Sequence, residues 1–171
     1  MGRLLLAALL LCAASVDALA QKRGGTLRIY SPDSPASMSI HEEATVYSQG
    51  PMMGVFNNLV VYDQHKKQNS LETIVPELAT GWTWSADRTK LTFKLRQGVK
   101  WHDGKPLTIE DVKFSFDVIF DPKYPTAHMR SFYEGIEKVE VLDARRIRFT
   151  AKDRYFKNFD SAAGLTVLPK H

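Results

Sequence analysis

The chain has 171 residues, of which 44% are hydrophobic and 25% are charged, and its formal net charge is +4. This balanced composition argues against a disordered chain, a collagen-like fibre and a protein with many membrane spans. The 23 basic and 19 acidic residues are interspersed rather than clustered, so we expect no nucleic-acid partner. A chain of this size has room for one domain, or slightly more.

The first twenty residues predict a secretory signal peptide. Arg3 supplies a positive charge, an uncharged apolar run covers residues 4–14, and Ala18 and Ala20 form the small-x-small pattern of a cleavage site. The run is too short to span a bilayer as a permanent helix. We therefore expect residues 1–20 to be removed and residues 21–171 to be exported to the periplasm.

The single cysteine, Cys12, lies inside that apolar run. The bulky Leu11 before it does not fit a lipidation site, so Cys12 is interpreted as part of the signal. The exported chain then contains no cysteine, which excludes disulfides, cysteine-based metal sites and thiol nucleophiles from it.

The first part of the exported chain predicts a strand, a helix and a second strand. Residues 26–30 alternate apolar and polar side chains, which is typical of a strand, and Pro32 ends it. The mostly apolar stretch 44–59 predicts a helix, with Pro51 kinking it or marking a late start. Residues 60–62 predict a short strand.

Two predicted hairpins flank a second helix. Alternation in residues 82–84 and 91–95 predicts a hairpin whose apolar face, together with Trp101, forms an aromatic core. A turn cluster follows, and Thr108 with Asp111 resembles a capping box for a helix that ends at Asp121. Its expected buried face contains Ile109, Val112, Phe116, Ile119 and Phe120.

Alternation in residues 139–141 and 147–151 predicts the second hairpin, and residues 155–163 a short helix. These elements indicate a mixed α/β fold of the α+β type, with antiparallel hairpins and few helices.

The sequence contains few residues in patterns typical of enzymes. The five histidines are widely separated, and no pair has the helical spacing that directs two imidazoles at one zinc ion. We therefore expect no metal, no cofactor and no catalysis. A small secreted hydrolase using His102, Asp103 or the pair Glu42 and Glu43 remains an alternative, although adjacent side chains diverge and favour a turn and a solvated loop.

Three residues lie in irregular or helix-start segments, where side chains can face a ligand: Tyr47, Tyr124 and His128.

Several segments occur in an order and spacing that resembles one protein family. They are Pro76 to Trp82, Leu91 to Thr108 with its Trp-His-Asp-Gly turn, and Glu110 to Phe116. Residues 24–28, 56–60 and 168–171 also fit. The combination is similar to the extracellular solute-binding proteins of peptide ABC importers, known as family 5, and it covers nearly all of the exported chain.

The resemblance implies a two-lobed fold of the periplasmic-binding-protein type II class, which closes on a ligand. It implies a monomer that captures a peptide or a related small solute and delivers it to ABC permease subunits in the membrane. Family members are much longer, so residues 21–171 are expected to be the N-terminal part, comprising lobe I and a family-specific subdomain without the second lobe. A complete stand-alone secreted binding module is the alternative.

The resemblance also implies ligand-binding residues. Ala44, Thr45 and Val46 align where the family makes backbone contacts to an extended ligand, and Tyr47 adjoins them. His128 aligns where some peptide binders place an aromatic side chain over the ligand, and Tyr124 is nearby. The Trp-His-Asp-Gly turn is expected to be a structural signature.

Overall fold

The computed structural model describes residues 24–26 and 28–171, and the chain divides into two compact units, Met1–Pro32 and Asp33–His171. The described residues of the first unit form no helix or strand. The strand predicted over residues 26–30 is therefore wrong for the residues of that range that the structure describes. Arg28, Ile29 and Tyr30 are exposed and pair with no described strand. A strand requires backbone groups paired with a neighbour. The predicted signal peptide and Cys12 lie outside the described residues.

The second unit contains mostly short strands and helices. Among the described residues, none of the helices combines the length and the apolar character that a membrane span requires. The elements are α1 (Val46–Met52), β1 (Val60–Tyr62), β2 (Ile74–Pro76), β3 (Ala79–Trp84), β4 (Lys90–Leu95), α2 (Ile109–Phe120), α3 (Arg130–Tyr133), β5 (Ile136–Val141), β6 (Arg146–Ala151) and α4 (Asn158–Ala163), with 3₁₀ turns at Leu71–Thr73 and Ala127–Met129.

Both predicted hairpins are confirmed. Strands β1 and β2 form a two-stranded ribbon, and the main sheet has the order β3-β4-β6-β5 with every pair antiparallel. Trp82 lies opposite Phe93 in the first hairpin, and Val139 lies opposite Phe149 in the second. The observed fold is the mixed α/β class with antiparallel hairpins and few helices that the alternation predicted.

One face of the main sheet forms the core. Phe93 and Phe149 are fully buried, and their rings meet edge to face at 5.8 Å. Helix α2 packs Phe116 against Phe149 at 6.1 Å, and α4 packs Phe159 against Trp82 at 5.5 Å. The opposite face of the sheet carries polar and charged side chains, because residues alternate between the two faces of a strand.

The helix predictions are confirmed in position, with corrected lengths. Helix α1 spans only Val46–Met52 instead of residues 44–59, since Gly54 disfavours continuation and the chain turns toward β1. Helix α2 has the expected capping box, in which the Thr108 N–H donates to Asp111 Oδ2 at 2.7 Å. Phe120, predicted to be buried on α2, is 40% exposed at its last turn.

Helix α4 begins at Asn158, three residues later than the stretch that predicted it.

Candidate ligand-binding cleft

A cleft of about 740 Å³ opens on the second unit and is called the solute cleft here. Its walls come from three separate parts of the chain: Ile40, Ala44 and Gln49 around the start of α1, residues between 128 and 135, and residues between 155 and 166. The structure thus brings together Ala44 and His128, two of the residues that the resemblance assigned to the ligand. The volume of the solute cleft lies in the range of small-molecule binding sites.

The first wall is held by two side chains that bond to carbonyl oxygens. Gln49 Nε2 reaches back from α1 and donates to the carbonyls of Ile40 at 2.9 Å and Glu43 at 2.8 Å. His41 Nε2 donates to the carbonyl of Thr166 at 3.0 Å, across to the third wall. The Gln49 bonds fix the loop before α1, because they satisfy two of its backbone carbonyls, and the His41 bond ties the loop to the third wall.

The backbone of this loop offers hydrogen-bond donors. The N–H of Thr45 donates to Glu43 Oε1 at 3.0 Å. The N–H groups of Ala44, Val46 and Tyr47 have no acceptor within the described part of the chain. Ala44 and Val46 are exposed, so these donors are available to a carbonyl oxygen supplied from outside.

His41 is a buried imidazole beneath the cleft wall. It is 2% exposed, and its Nδ1 has no partner among the described atoms. Burial lowers the pKa of His41 from 6.5; the bond to Thr166 opposes this shift, and the nearby His128 adds to it. The ring is therefore neutral near neutral pH, with the proton on Nε2, because a carbonyl can only accept.

The second and third walls are joined by polar contacts. Ser161 Oγ of the third wall donates to the carbonyl of Phe132 in the second at 2.7 Å. Within the third wall, Lys157 Nζ lies 3.3 Å from Asp160 Oδ2. A side chain at Gly135 would place its Cβ 3.2 Å from Asn158 Oδ1, so glycine permits a close approach of the two walls.

Tyr133 connects the cleft to the core, because its ring meets Phe116 edge to face at 6.1 Å. Burial raises the pKa of Tyr133 to about 12.

Four residues that the resemblance assigned to the ligand are not among those that line the solute cleft. Thr45, Val46 and Tyr47 continue from Ala44 into the first turn of α1. Tyr124 is 41% exposed in the turn after α2. Their contact with a ligand stays a prediction.

Sequence reasoning did not identify the third wall. Residues 155–163 predicted a helix but carried no pattern that distinguishes a ligand-facing helix from a packing helix. The only available signal was the polar cluster of Lys157, Asn158, Asp160 and Ser161 beside an aromatic pair.

The residues of the hydrolase alternative are not brought together as a catalytic pair. Asp103 lies 2.9 Å from His171 Nε2, whereas the exposed His102 has no described hydrogen bond or ion pair. The Lys105 N–H and His171 both lower the pKa of Asp103, the Lys105 bond more strongly. The Glu43 carboxylate accepts a hydrogen bond from the Thr45 N–H. No group of three or more potential metal-ligating side chains occurs among residues 24–26 and 28–171.

The Trp-His-Asp-Gly turn has contacts of a structural kind. Trp101 Nε1 donates to Asp111 Oδ2 at 3.4 Å, and the Trp101 N–H donates to the Lys105 carbonyl at 2.8 Å. Gly104 has a φ of 87°, a conformation that favours glycine. The turn therefore holds the start of α2. Trp101 packs at that end of the core rather than on the hairpin face.

Comparison with known proteins gives a consistent result. A sequence profile of the family "Bacterial extracellular solute-binding proteins, family 5 Middle" matches residues 73–170. The chain is 36% identical over 115 residues to a probable peptide-binding protein, YejA, of Agrobacterium fabrum, covering 66% of this chain and 18% of that protein. It is 35% identical over 96 residues to di/tripeptide-binding protein 2 of Pseudomonas aeruginosa, covering 47% of this chain and 18% of that protein. The chain thus spans about a fifth of the length of these curated relatives.

Solved structures agree with the sequence matches. The periplasmic binding protein MoaA from A. tumefaciens R10, in complex with mannopinic acid, superposes with a TM-score of 0.67 at 29% identity, covering 79% of this chain and 27% of that one. DppA from Helicobacter pylori, in complex with the peptide STSA, superposes with a TM-score of 0.65 at 26% identity, covering 80% of this chain and 29% of that one. Since the profile matches more than half of the chain, and the antiparallel sheet and the Trp-His-Asp-Gly turn lie within that match, this chain belongs to family 5 of the bacterial extracellular solute-binding proteins.

Proposed function

We propose that this chain is part of the substrate-binding component of an ABC importer, which captures a peptide or a related small solute outside the cytoplasm. In this proposal residues 1–20 direct export to the periplasm and residues 21–171 form part of the solute-binding domain. The domain works as a monomer and delivers its ligand to permease subunits in the membrane. The relatives named above are binding proteins, and the proposal includes no covalent step.

The observation that carries this proposal is the convergence of Ala44 and His128 on one cleft. The available N–H groups of Ala44, Val46 and Tyr47 suit the carbonyl oxygens of an extended peptide. Recognition through backbone groups tolerates many ligand side chains, because every peptide presents the same carbonyls. His128 lies exposed on the neighbouring wall, where its imidazole is available to the ligand.

Peptides are the proposed ligand class because two of the named relatives are described as peptide or di/tripeptide binders and one solved structure holds the peptide STSA. Another holds mannopinic acid, which is why the proposal extends to related small solutes.

A nuclear magnetic resonance titration of ¹⁵N-labelled residues 21–171 with tri-alanine tests the proposal. We expect saturable shifts at the amides of Ala44, Val46 and Tyr47. The affinity should be weak, about 1 mM, or about −4 kcal/mol, because the contacts come from about a fifth of a typical relative's length. Shifts confined to other regions, or none at about 20 mM peptide, would contradict the proposed cleft.

His128→Ala should weaken the same titration, since it removes a cleft side chain. The matched control is His65→Ala, because His65 is an exposed imidazole in a loop outside the cleft. An equal response to the two substitutions would remove His128 from the proposed site.

A further inference from the structure

A second cavity, of about 480 Å³, lies beside the edge strand β3 and is called the aromatic groove here. Five aromatic rings, two aliphatic side chains and two arginines line it: Trp82, Trp84, Tyr155, Phe156, Phe159, Leu71, Ile74, Arg88 and Arg154. It shares only Tyr155 with the solute cleft, so the segment before α4 separates the two cavities.

The groove presents apolar surface to solvent. Phe156 is 76% exposed and Leu71 is 73% exposed, whereas Phe159 is buried and forms the floor against Trp82 and Trp84. Tyr155 and Phe156 meet edge to face at 4.7 Å. A concave site with a buried aromatic floor and exposed aromatic rims has the shape and volume of a small-molecule site, and a contiguous exposed apolar surface of this kind usually marks an interaction site.

The charges in the groove have one sign. Among the described residues that line the groove, Arg88 and Arg154 are the only side chains with a permanent charge, and none of the others carries a carboxylate. Neither guanidinium has an ion pair or hydrogen bond with any described residue. The nearest carboxylate in sequence to Arg88, that of Asp87, accepts from Ser85 Oγ at 2.5 Å and from the Thr89 N–H at 3.1 Å instead.

The turn of the first hairpin holds Arg88 in an unusual conformation. Its φ is 55°, in the left-handed region that a non-glycine residue seldom adopts. The Arg88 N–H donates to the Ser85 carbonyl at 2.9 Å, which fixes this conformation at the rim of the groove. The backbone of Arg88 is therefore held in place, and its side chain lines the groove close to the Trp84 end of β3.

We propose that the aromatic groove binds small aromatic carboxylates. The ring of such a ligand packs between the tryptophans and Phe156, and its carboxylate accepts hydrogen bonds from Arg88 and Arg154. Arginine pairs with carboxylates through two parallel N–H donors, and it also stacks on aromatic faces. This site is separate from the solute cleft, and it does not depend on the proposed transport function.

Fluorescence titration of the chain with 2-naphthoate tests this inference, because two of its three tryptophans line the groove. We expect saturable quenching by 2-naphthoate and at least about tenfold weaker binding of the uncharged 2-naphthamide, since the amide loses the charge-assisted bonds. Equal affinity for the two probes, or no saturable quenching by the acid, would overturn the inference without any substitution being needed.

Paired substitutions then test whether Arg88 and Arg154 bind the carboxylate of the probe. The double variant Arg88→Gln/Arg154→Gln should bind 2-naphthoate at least about tenfold more weakly, while its affinity for 2-naphthamide stays the same. The control Arg28→Gln/Arg96→Gln removes the same charge from exposed arginines outside the groove and should bind like the parent chain. Arg88→Lys/Arg154→Lys should recover part of the affinity.

An equal loss of affinity in the two glutamine variants would show only an effect of net charge and would overturn the inference. Sedimentation velocity examines the competing occupant, a second copy of this chain. A concentration-dependent dimer that Phe156→Ser abolishes would make the groove a self-association surface and would also overturn it.

Discussion

The Nε2 atom of His41 lies 3.0 Å from the carbonyl oxygen of Thr166, and this bond joins two walls of the solute cleft. Because burial lowers the pKa of His41 below 6.5, the unfolded chain binds a proton at this site more readily than the folded chain does. The contribution of His41 to stability is therefore complete above pH 6.5 and falls as the pH drops from 6.5 toward the lowered folded value.

We expect His41→Gln to flatten this part of the pH dependence, because an amide can replace the donor but does not titrate. The free energy of unfolding, measured with urea at several pH values between about 7 and 5, checks this. His65→Gln, at an exposed loop position, is the control and should keep the slope of the parent chain. A parent chain whose stability does not fall in this range would contradict the prediction.

Asp111 should be the most sensitive polar residue at the start of α2. Its carboxylate is 4% exposed and accepts from the Thr108 N–H at 2.7 Å, Thr108 Oγ1 at 3.0 Å, Trp101 Nε1 at 3.4 Å and the Lys170 N–H at 2.8 Å. Asp111→Asn leaves one acceptor oxygen, so we expect a loss of about 1–3 kcal/mol in urea unfolding.

Glu110→Gln is the matched control for Asp111→Asn, because the Glu110 carboxylate is exposed and its only bond to a described residue is a 3.7 Å ion pair with Lys170. Its substitution should change stability by less than about 0.5 kcal/mol. If Asp111→Asn is as mild as this control, the capping interpretation is wrong.

Phe93 should dominate the apolar core. Its ring is fully buried and contacts Phe149, Trp82 and Phe159. Phe93→Ala leaves a cavity among these three rings, with an expected loss of about 3–5 kcal/mol in chemical denaturation. Phe156→Ala removes a 76% exposed ring and should cost less than about 0.5 kcal/mol. Similar losses for the two variants would contradict this assignment of the core.

The Asp87 carboxyl, in the turn of the first hairpin, should have a pKa well below the usual range of an aspartate. The bond from Ser85 Oγ, followed by bonds to Thr89, lowers the pKa of Asp87 from 3.8 to about 2. Its contribution to stability is therefore present above pH 3.8 and is lost as the pH falls toward 2.

Carboxyl carbon shifts, followed by nuclear magnetic resonance during an acid titration, report the Asp87 pKa directly. Ser85→Ala should raise it, because the largest cause is removed, while Thr83→Ala on the neighbouring strand should leave it unchanged. An Asp87 pKa near 3.8 in the parent chain would contradict the prediction.

The two hairpins could be predicted from sequence because each strand buries one face only. Leu91, Phe93 and Leu95 are buried while Lys94 is exposed, and this alternation is visible in the sequence itself. The start of α2 could also be predicted, because Thr108 and Asp111 form the capping box within one helical turn. These are local relationships, in which the partners lie close together along the chain.

The features that the sequence did not predict correctly depend on contacts between residues far apart along the chain. Residues 28–30 alternate correctly for a strand, but alternation does not supply a pairing partner, and none of the described ladders includes them. The length of α1 depended on where the chain turns toward β1, which helix-like composition does not encode. Ala44 and His128 were assigned by family resemblance, and their meeting in one cleft with Lys157 and Ser161 follows from tertiary packing that no periodicity reveals.

The seam between β4 and β6 has a consequence for the order of folding. Each hairpin closes over a short turn and can form in about 1–10 μs, whereas the seam joins Leu95 to Arg145 across 50 residues of chain that include α2. Closing so long a loop costs entropy before the contacts across the seam repay it. We therefore expect two preformed hairpins to dock late, with the rate of docking set by how soon Phe116 of α2 meets Phe149.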